Sequence, residues 1–484
     1  MIFSDSSFLR HLSLRRIFVW AFLLSLFSLA VRQSTSIDSD LWWHLKSGQY
    51  IIQSKAIPHV DPFSFTRAGS EWITHEWLSE VIMYGTFRLA GWPGLLILFA
   101  AVITAALGIC YQRSDGKPFV AGVAVFLAAA ASAPLFGLRP QMFTFLLASI
   151  FIAALDHYVR KCHRRILWIL PAGMLFWVNL HAGFALGPAL ILLFVIMALS
   201  DGNRERIRPL LIILVTCVAV IPINPNTVRM FSYPFETLSS PAMQAVIQEW
   251  LSPDFHQFRF IPLAVLMLGT FAAIALSPER VRPGELFALM VLSLAALRSG
   301  RHIPIFAVLA APIFAKHGSQ WLSSQSTKSV TGRMRSVTGT RIILNLTLIL
   351  LPAVTSAREI IDFVSHENGY EARRFPATAV DLIGEQQLPG PIFNDYDWGG
   401  YLIWKFYPGR QVFIDGRADV YGDAFIYDYL KTYKGDRSWR TQLDRFAIRT
   451  VLIEPKSALA TLLRQEKGWR TAFEDQQAVV FTSQ

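Results

Sequence analysis

Asp38 and Asp40, separated by a single residue, open a stretch between residues 37 and 77 in which acids, histidines and tryptophans crowd together. It also holds Asp61, Glu71 and Glu76, the histidines His44, His59 and His75, and the tryptophans Trp42, Trp43, Trp72 and Trp77. A carboxylate placed against a hydroxyl takes its proton, and neighbouring carboxylate oxygens are the ligands that Mg²⁺ or Mn²⁺ favours. His44 follows Asp40 by four residues, so on a helix the two share a face. They would form either a reactive pair or a bond that fixes the loop. The four tryptophans are expected as anchors at the lipid headgroup level rather than as stacking platforms.

Other polar residues interrupt an otherwise apolar chain: Arg139 in GLRPQ, Asn179 and His181 in NLHAG, Asn224 in NPN, Glu249 in QEW, and Arg298, Arg301 and His302 in LRSGRHIP. Ionisable groups at membrane depth are costly, so a functional role is their default reading. Each also has a plainer one. The arginines can snorkel to headgroups, and Asn179 and Asn224 can cap helix ends. HEWLS at 75–79 is not a zincin HExxH, and no phosphate-binding or dinucleotide-binding glycine loop is present. There is no GxSxG elbow. Cys110, Cys162 and Cys217 lie in or beside apolar runs without metal spacing and read as small apolar filler.

The elements that must position these groups are membrane helices. Hydrophobic residues make up 53% of the 484, and charged residues only 16%. A soluble chain carries about 25% charged residues. Apolar runs occur at 17–31, 92–112, 118–136, 141–158, 165–180, 184–200, 209–223, 260–277, 285–297, 302–316 and 342–356. This predicts a mainly α, polytopic transmembrane domain of about eleven spans over 1–356, with an external loop at 34–91. The first run follows Arg10, Arg15 and Arg16 like a signal peptide and is read as an uncleaved span.

The net charge of +11 does not point to nucleic acid. Its basic residues collect in alternate short loops, at 113–117, 159–165, 201–208, 277–283 and 316–341. By the positive-inside rule these loops and the N-terminus are cytoplasmic. The Asp38–Trp77 stretch, the loop 224–259 and everything beyond about 357 are then extracytoplasmic. Ser319–Thr340 reads as a flexible linker. Residues 357–484 read as a small α/β domain, with a helix at AVDLIGEQQ and strands at PIFND, VFIDG, IRTVLIEP and AVVFTS. Within it Asp395, Asp397, Asp415 and Arg417 either contact a substrate, dock the domain, or form an internal Asp–Arg network; the network is the first expectation.

The motifs DSDLWWHLKSGQYI, DPFSFT, THEWLSE, LRPQ, NLHAGF, RSGRHIP and NDYDWGGYL…VFIDGRADVY resemble those of GT-C-like bacterial membrane proteins. The acidic first external loop, the many spans and the extracytoplasmic C-terminal domain resemble the GT-C glycosyltransferases more widely. That resemblance implies an enzyme of the bacterial cytoplasmic (inner) membrane. It would transfer a sugar from a polyprenyl-phosphate donor to a glycan, lipid or protein acceptor on the outer face. It also implies that an acid of the first loop, Asp38 or Asp40, acts as base or contacts the acceptor, with or without a divalent metal there. Arg139, Arg298, Arg301 and His302 would then meet the donor phosphate. His44, His75, Glu76, Asn179, His181, Asn224 and Glu249 would line the cavity. A flippase for a lipid-linked glycan and a non-catalytic membrane assembly protein are the competing readings.

Overall fold

The computed structural model describes residues 14–325 and 338–483. Each apolar run of the sequence lies on a helix. In order these are α1 (Leu14–Ser34), α2 (Leu41–Ser54), α3 (Trp77–Arg113), α4 (Pro118–Ser132), α5 (Gln141–Lys161), α6 (Ile169–Leu180), α7 (Leu186–Ser200) and α8 (Ile207–Val220). They continue as α9 (Arg229–Ser239), α10 (Pro241–Val246), α11 (Ile261–Leu276), α12 (Pro283–Arg298), α13 (Ile303–Gln325) and α14 (Thr338–Ser365). Among the described residues, five helical segments are long and apolar enough to cross a membrane: Trp77–Arg113, Pro118–Leu135, Gln141–Lys161, Ala182–Ser200 and Phe258–Leu276. The chain is a membrane protein built mainly of helices.

Two boundaries differ from expectation. The stretch 34–91 is not a loop throughout, because α2 and the first half of α3 are helical. α3 breaks at Gly91, whose φ of 58° and ψ of −150° lie outside helical values. The expected linker at 319–340 is helical up to Gln325, since α13 runs on past its apolar segment. Its residues 326–337 lie outside the described ones.

The C-terminal part forms a four-stranded sheet from β1 (Ile392–Asn394), β2 (Thr450–Ile453), β3 (Trp469–Glu474) and β4 (Val479–Ser483), in the order β1-β2-β4-β3. β1 and β2 are parallel and the other pairs antiparallel. The VFIDG segment is not one of the strands. The Asn394 side chain takes the place of a ladder partner there, accepting from Phe413 N at 2.9 Å and donating to Ile414 O at 2.8 Å. Val412 instead exchanges backbone bonds with Phe63 and Phe65 of the first loop. An extended segment thus ties the outer domain to the first loop. The sheet's fourth member is β3, a strand the sequence reading missed.

That tie is reinforced by aromatic and ionic packing. Trp42 meets Tyr401, Phe375 and Trp92 edge to face, at ring separations of 5.2, 5.6 and 5.7 Å. Trp42, Trp43 and Trp72 are all buried. They are therefore the core of the joint between loop and outer domain, not headgroup anchors; offset and edge contacts of this kind favour burial. Arg417 makes a forked pair with Asp415, at 2.8 and 2.7 Å, and reaches Asp61 at 2.7 Å. Its guanidinium also lies over the Trp72 ring at 4.6 Å. All three charged side chains are at most 1% exposed.

Removing one partner of a buried ion pair strands the others. Arg417→Met is expected to cost about 3–5 kcal/mol. The check is limited proteolysis in detergent, where the variant should release the outer domain at a lower temperature than wild type.

Candidate active site

Between helices α1 and α2 the chain turns through Asp38, Ser39 and Asp40. Asp38 Oδ1 accepts from Asp40 N at 2.9 Å, which fixes the turn. Asp40 stands at the N-terminal cap of α2, yet its side chain makes no capping bond. Its Oδ1 accepts from Trp43 Nε1 at 3.2 Å instead, leaving Oδ2 turned toward Arg139 at 3.6 Å. The outer domain closes over this turn by two glycines. A Cβ on Gly416 would lie 1.9 Å from Asp40 Oδ1, and one on Gly400 would lie 2.6 Å from Ser39 O. A side chain at Gly400 would run into the Ser39 backbone, and one at Gly416 would displace the Asp40 carboxylate, so the GG and DGR motifs mark close approach.

Arg139 sits in the short connection before α5. It pairs with Glu249 through Nη1 and stands 3.6 Å from Asp38 through Nε. Glu249, in the 3₁₀ turn Gln248–Trp250, also accepts from Arg301 Nε at 3.2 Å and from Gln141 Nε2 at 3.3 Å. One carboxylate therefore holds two guanidiniums side by side. Arg301 is set further by the Trp250 ring, 4.7 Å away. At 3.6 Å the Nε and Nη2 contacts of Arg139 are too long for hydrogen bonds. Nη1 and Nη2 of Arg301 have no protein acceptor among the described residues. Both arginines thus keep donors for an incoming anion.

The electrostatics divide the roles. Burial and the adjacent Asp38 push Asp40 up to about 7, against the opposing pull of Arg139, His44 and the Trp43 N–H. Burial works the same way on Glu249, but Arg139 and Arg301 outweigh it and bring the carboxyl down to about 2. Arg139, despite burial, is held well above its ordinary value by Asp38, Glu249 and Asp40. Glu249 is thus a permanent anion, whereas Asp40 exchanges its proton near neutrality.

A second cluster supports the first from below. Glu76 Oε1 faces His75 Nε2 at 3.1 Å and His181 Nε2 at 3.5 Å, and Oε2 faces His44 Nδ1 at 3.5 Å. His181 Nδ1 accepts from Gly183 N at 2.9 Å, so its proton is on Nε2, toward Glu76. Burial draws His181 down to about 4, against Glu76, and it is neutral. His75 lies near the Ile73 carbonyl through Nδ1, at 3.1 Å. Burial opposes its charge, but Glu76 and Asp419 raise it above its ordinary value. The Asp40–His44 bond suggested by spacing does not form. His44 turns instead to Glu76 and to Glu80, 3.6 Å away.

Not every nominated residue converges here. Arg298, the last residue of α12, is exposed and makes no ion pair among the described residues. His302 makes no ion pair with the carboxylates among the described residues, and its Nδ1 is buried there without a hydrogen-bond partner. Asn179 and Asn224 do not cap helices: Asn179 accepts from Trp77 Nε1 at 2.8 Å and donates to Ile223 O at 2.9 Å, and Asn224 donates to Val178 O at 2.9 Å. Together they lock α6 to the end of α8 and the start of α3. Asp395 is spent on Tyr433 OH, 2.6 Å away, and Asp415 and Arg417 on their buried network. Exposed Asp397 stays within electrostatic reach of Asp38. The reading missed Gln141, Glu80 and Tyr233. For Glu80 the signal was its i,i+4 spacing from Glu76 in THEWLSE.

Among the described residues no three His, Cys, Asp or Glu side chains are spaced to hold a metal ion. Asp38 and Asp40 both face the Arg139 guanidinium, which stands where a cation bridging them would sit.

No family model and no curated protein matches the sequence. The fold is similar to that of the archaeal oligosaccharyltransferase AglB from Archaeoglobus fulgidus, solved with an inhibitory peptide and a dolichol-phosphate. The TM-score is 0.51 at 10% identity, over 90% of this chain and 69% of that one. It is also similar to ArnT from Cupriavidus metallidurans bound to undecaprenyl phosphate, with a TM-score of 0.50 at 14% identity, over 99% of this chain and 98% of that one.

Proposed function

We propose, starting from a GT-C-like membrane fold, that this chain is a glycosyltransferase using a polyprenyl-phosphate-linked hexose or pentose. The observation that carries the reading is the pair of guanidiniums held by Glu249 opposite a carboxylate that titrates near neutrality. The polyprenyl phosphates named with AglB and ArnT give the donor class its second support.

The chemistry follows from these groups. A phosphate leaving group needs no proton, only stabilisation of its charge, which the free donors of Arg139 and Arg301 supply by forked bonds. Asp40 takes the proton from the acceptor hydroxyl while that oxygen bonds to the anomeric carbon. The bond from that carbon to the phosphate oxygen breaks, and its electrons leave on the phosphate. Direct displacement inverts the anomeric centre. Arg139 provides at Asp38 and Asp40 the positive charge that a divalent ion would otherwise provide. Glu249 is a positioning residue.

The reading sets about eleven spans in the bacterial inner membrane, with the N-terminus cytoplasmic and the α/β domain on the outer face. The acceptor is a glycan, lipid or protein hydroxyl. It is tested by mass spectrometry of lipids that co-purify in mild detergent, followed by turnover of the donor found. Wild type is expected to retain a polyprenyl phosphate or its sugar conjugate, and Arg301→Gln to lose it. Bulk phospholipid alone in both, or a bound donor that is never turned over, would overturn the proposal.

A further inference from the structure

The loop 221–260 contains an amphipathic helix with an unpartnered face. Val228, at the N-terminal cap of α9, and Phe231, Phe235 and Leu238 on the helix are 67%, 40%, 72% and 48% exposed. At 3.6 residues per turn they fall within one arc of about 80°. Roughly opposite, Met230 and Tyr233 are buried against the protein. Between the two faces runs a polar flank, where Arg229 donates to Glu236 at 2.9 Å and pairs with Glu71 at 3.4 Å. A soluble surface does not present a contiguous row of large apolar groups without a partner.

We propose that α9 lies in the plane of the membrane, at the lipid–water boundary on the side of the outer domain, with this apolar row among lipid chains. The helix's place between two apolar helices argues for lipid rather than a protein partner. Ile223, just beyond the end of α8, is 58% exposed. The next membrane-spanning segment begins at Phe258, which is 86% exposed. The helix is therefore tied at both ends to apolar helices whose own apolar surface is exposed. Arg229 and Glu236 offset each other, so the helix relies on apolar immersion and not on attraction to anionic lipid.

The consequence for the site is geometric. Tyr233, on the buried face, holds its ring tilted 4.4 Å from His75 and bonds Asp419 of the outer domain at 3.3 Å. The next turn adds a bond from Ser240 to Asp423, 2.5 Å long. The membrane surface thereby sets the height of both the histidine cluster and the outer domain. The inference rests on the chain being a membrane protein and not on its being a transferase.

The test uses the full chain in nanodiscs of neutral phosphatidylcholine, with Cys110→Ser, Cys162→Ser and Cys217→Ser. Nitroxides are attached singly at Phe231, Phe235, Leu238, Ser232 and Ser239, with Leu268 calibrating lipid and Asp428 calibrating water. The ratio of oxygen to nickel-chelate collisions is expected to be several-fold higher at 231, 235 and 238 than at 232 and 239, and to approach that at 268. Ratios matching that at 428 would mean the helix stands in water. Protection from both reagents would mean a protein covers it. Either result overturns the proposal. A circular-dichroism spectrum and melting curve matching those of the cysteine-free parent show that a given variant is folded.

Discussion

Arg139→Gln lowers transfer from the lipid-linked donor by about 10²–10³-fold, the range seen when one preorganised donor to a developing anion is lost. Arg139 is the point at which the two halves of the site meet, facing Asp38 and Asp40 on one side and Glu249 on the other. Its removal withdraws a phosphate donor and also the cation that opposes protonation of Asp40. The pH–rate profile should therefore move upward in the same variant, because Asp40 is left beside Asp38 with less opposing charge. Arg139→Lys keeps the charge but not the fork, and should recover part of the activity without restoring tight donor binding. The measurement is single-turnover transfer in nanodiscs across pH 5 to 9, with donor retention read separately. Full activity in Arg139→Gln would remove the phosphate assignment.

Asp40→Asn is the second large effect, expected at about 10²–10⁴-fold, the usual contribution of a positioned base. In wild type the rate should rise with pH through about 7 and then level, since Asp40 accepts a proton only when ionised. The stability effect runs the other way. Asp40 binds its proton more tightly folded than unfolded, where its value is near 3.8. The stability this contributes is complete below about 3.8 and is lost as pH rises through about 7. At pH 8 the ionised carboxylate is therefore a burden on the fold, and Asp40→Asn should melt above wild type while failing to turn over. A variant less stable than wild type at pH 8 would count against the assigned role, as would one that keeps the rise through pH 7.

The helices were legible because burial in lipid demands uninterrupted apolar runs, and no other constraint writes so plainly. Arg139, Glu249 and Arg301 were legible for the converse reason, as charges at helix ends. What sequence alone does not fix is which way each side chain faces. Arg298 and Arg301 stand three residues apart, but a 3₁₀ turn at Gly300–His302 lies between, so one points outward and the other meets Glu249. The tryptophans were misread because a headgroup anchor and a joint between domains use the same residue for the same amphipathic ring. Gly400 and Gly416 resemble ordinary turn glycines until the Asp38–Asp40 turn is placed against them. VFIDG has the residues of a strand, and only the Asn394 amide, distant in sequence, removes it from the sheet.

The Asp61–Arg417 pair joins positions 356 residues apart. At about 5–20 residues per second, a ribosome needs roughly 20–70 s to pass from one to the other. Throughout that interval the first loop has been made, but the arginine that neutralises Asp61 and the rings that cover Trp42 have not. The loop must therefore wait, solvated or held by another protein, and Asp40 has no wall at Gly416 until the outer domain arrives. Activity is thereby postponed to the last stage of synthesis, and a chain stalled before residue 417 would be inserted in the membrane yet chemically silent.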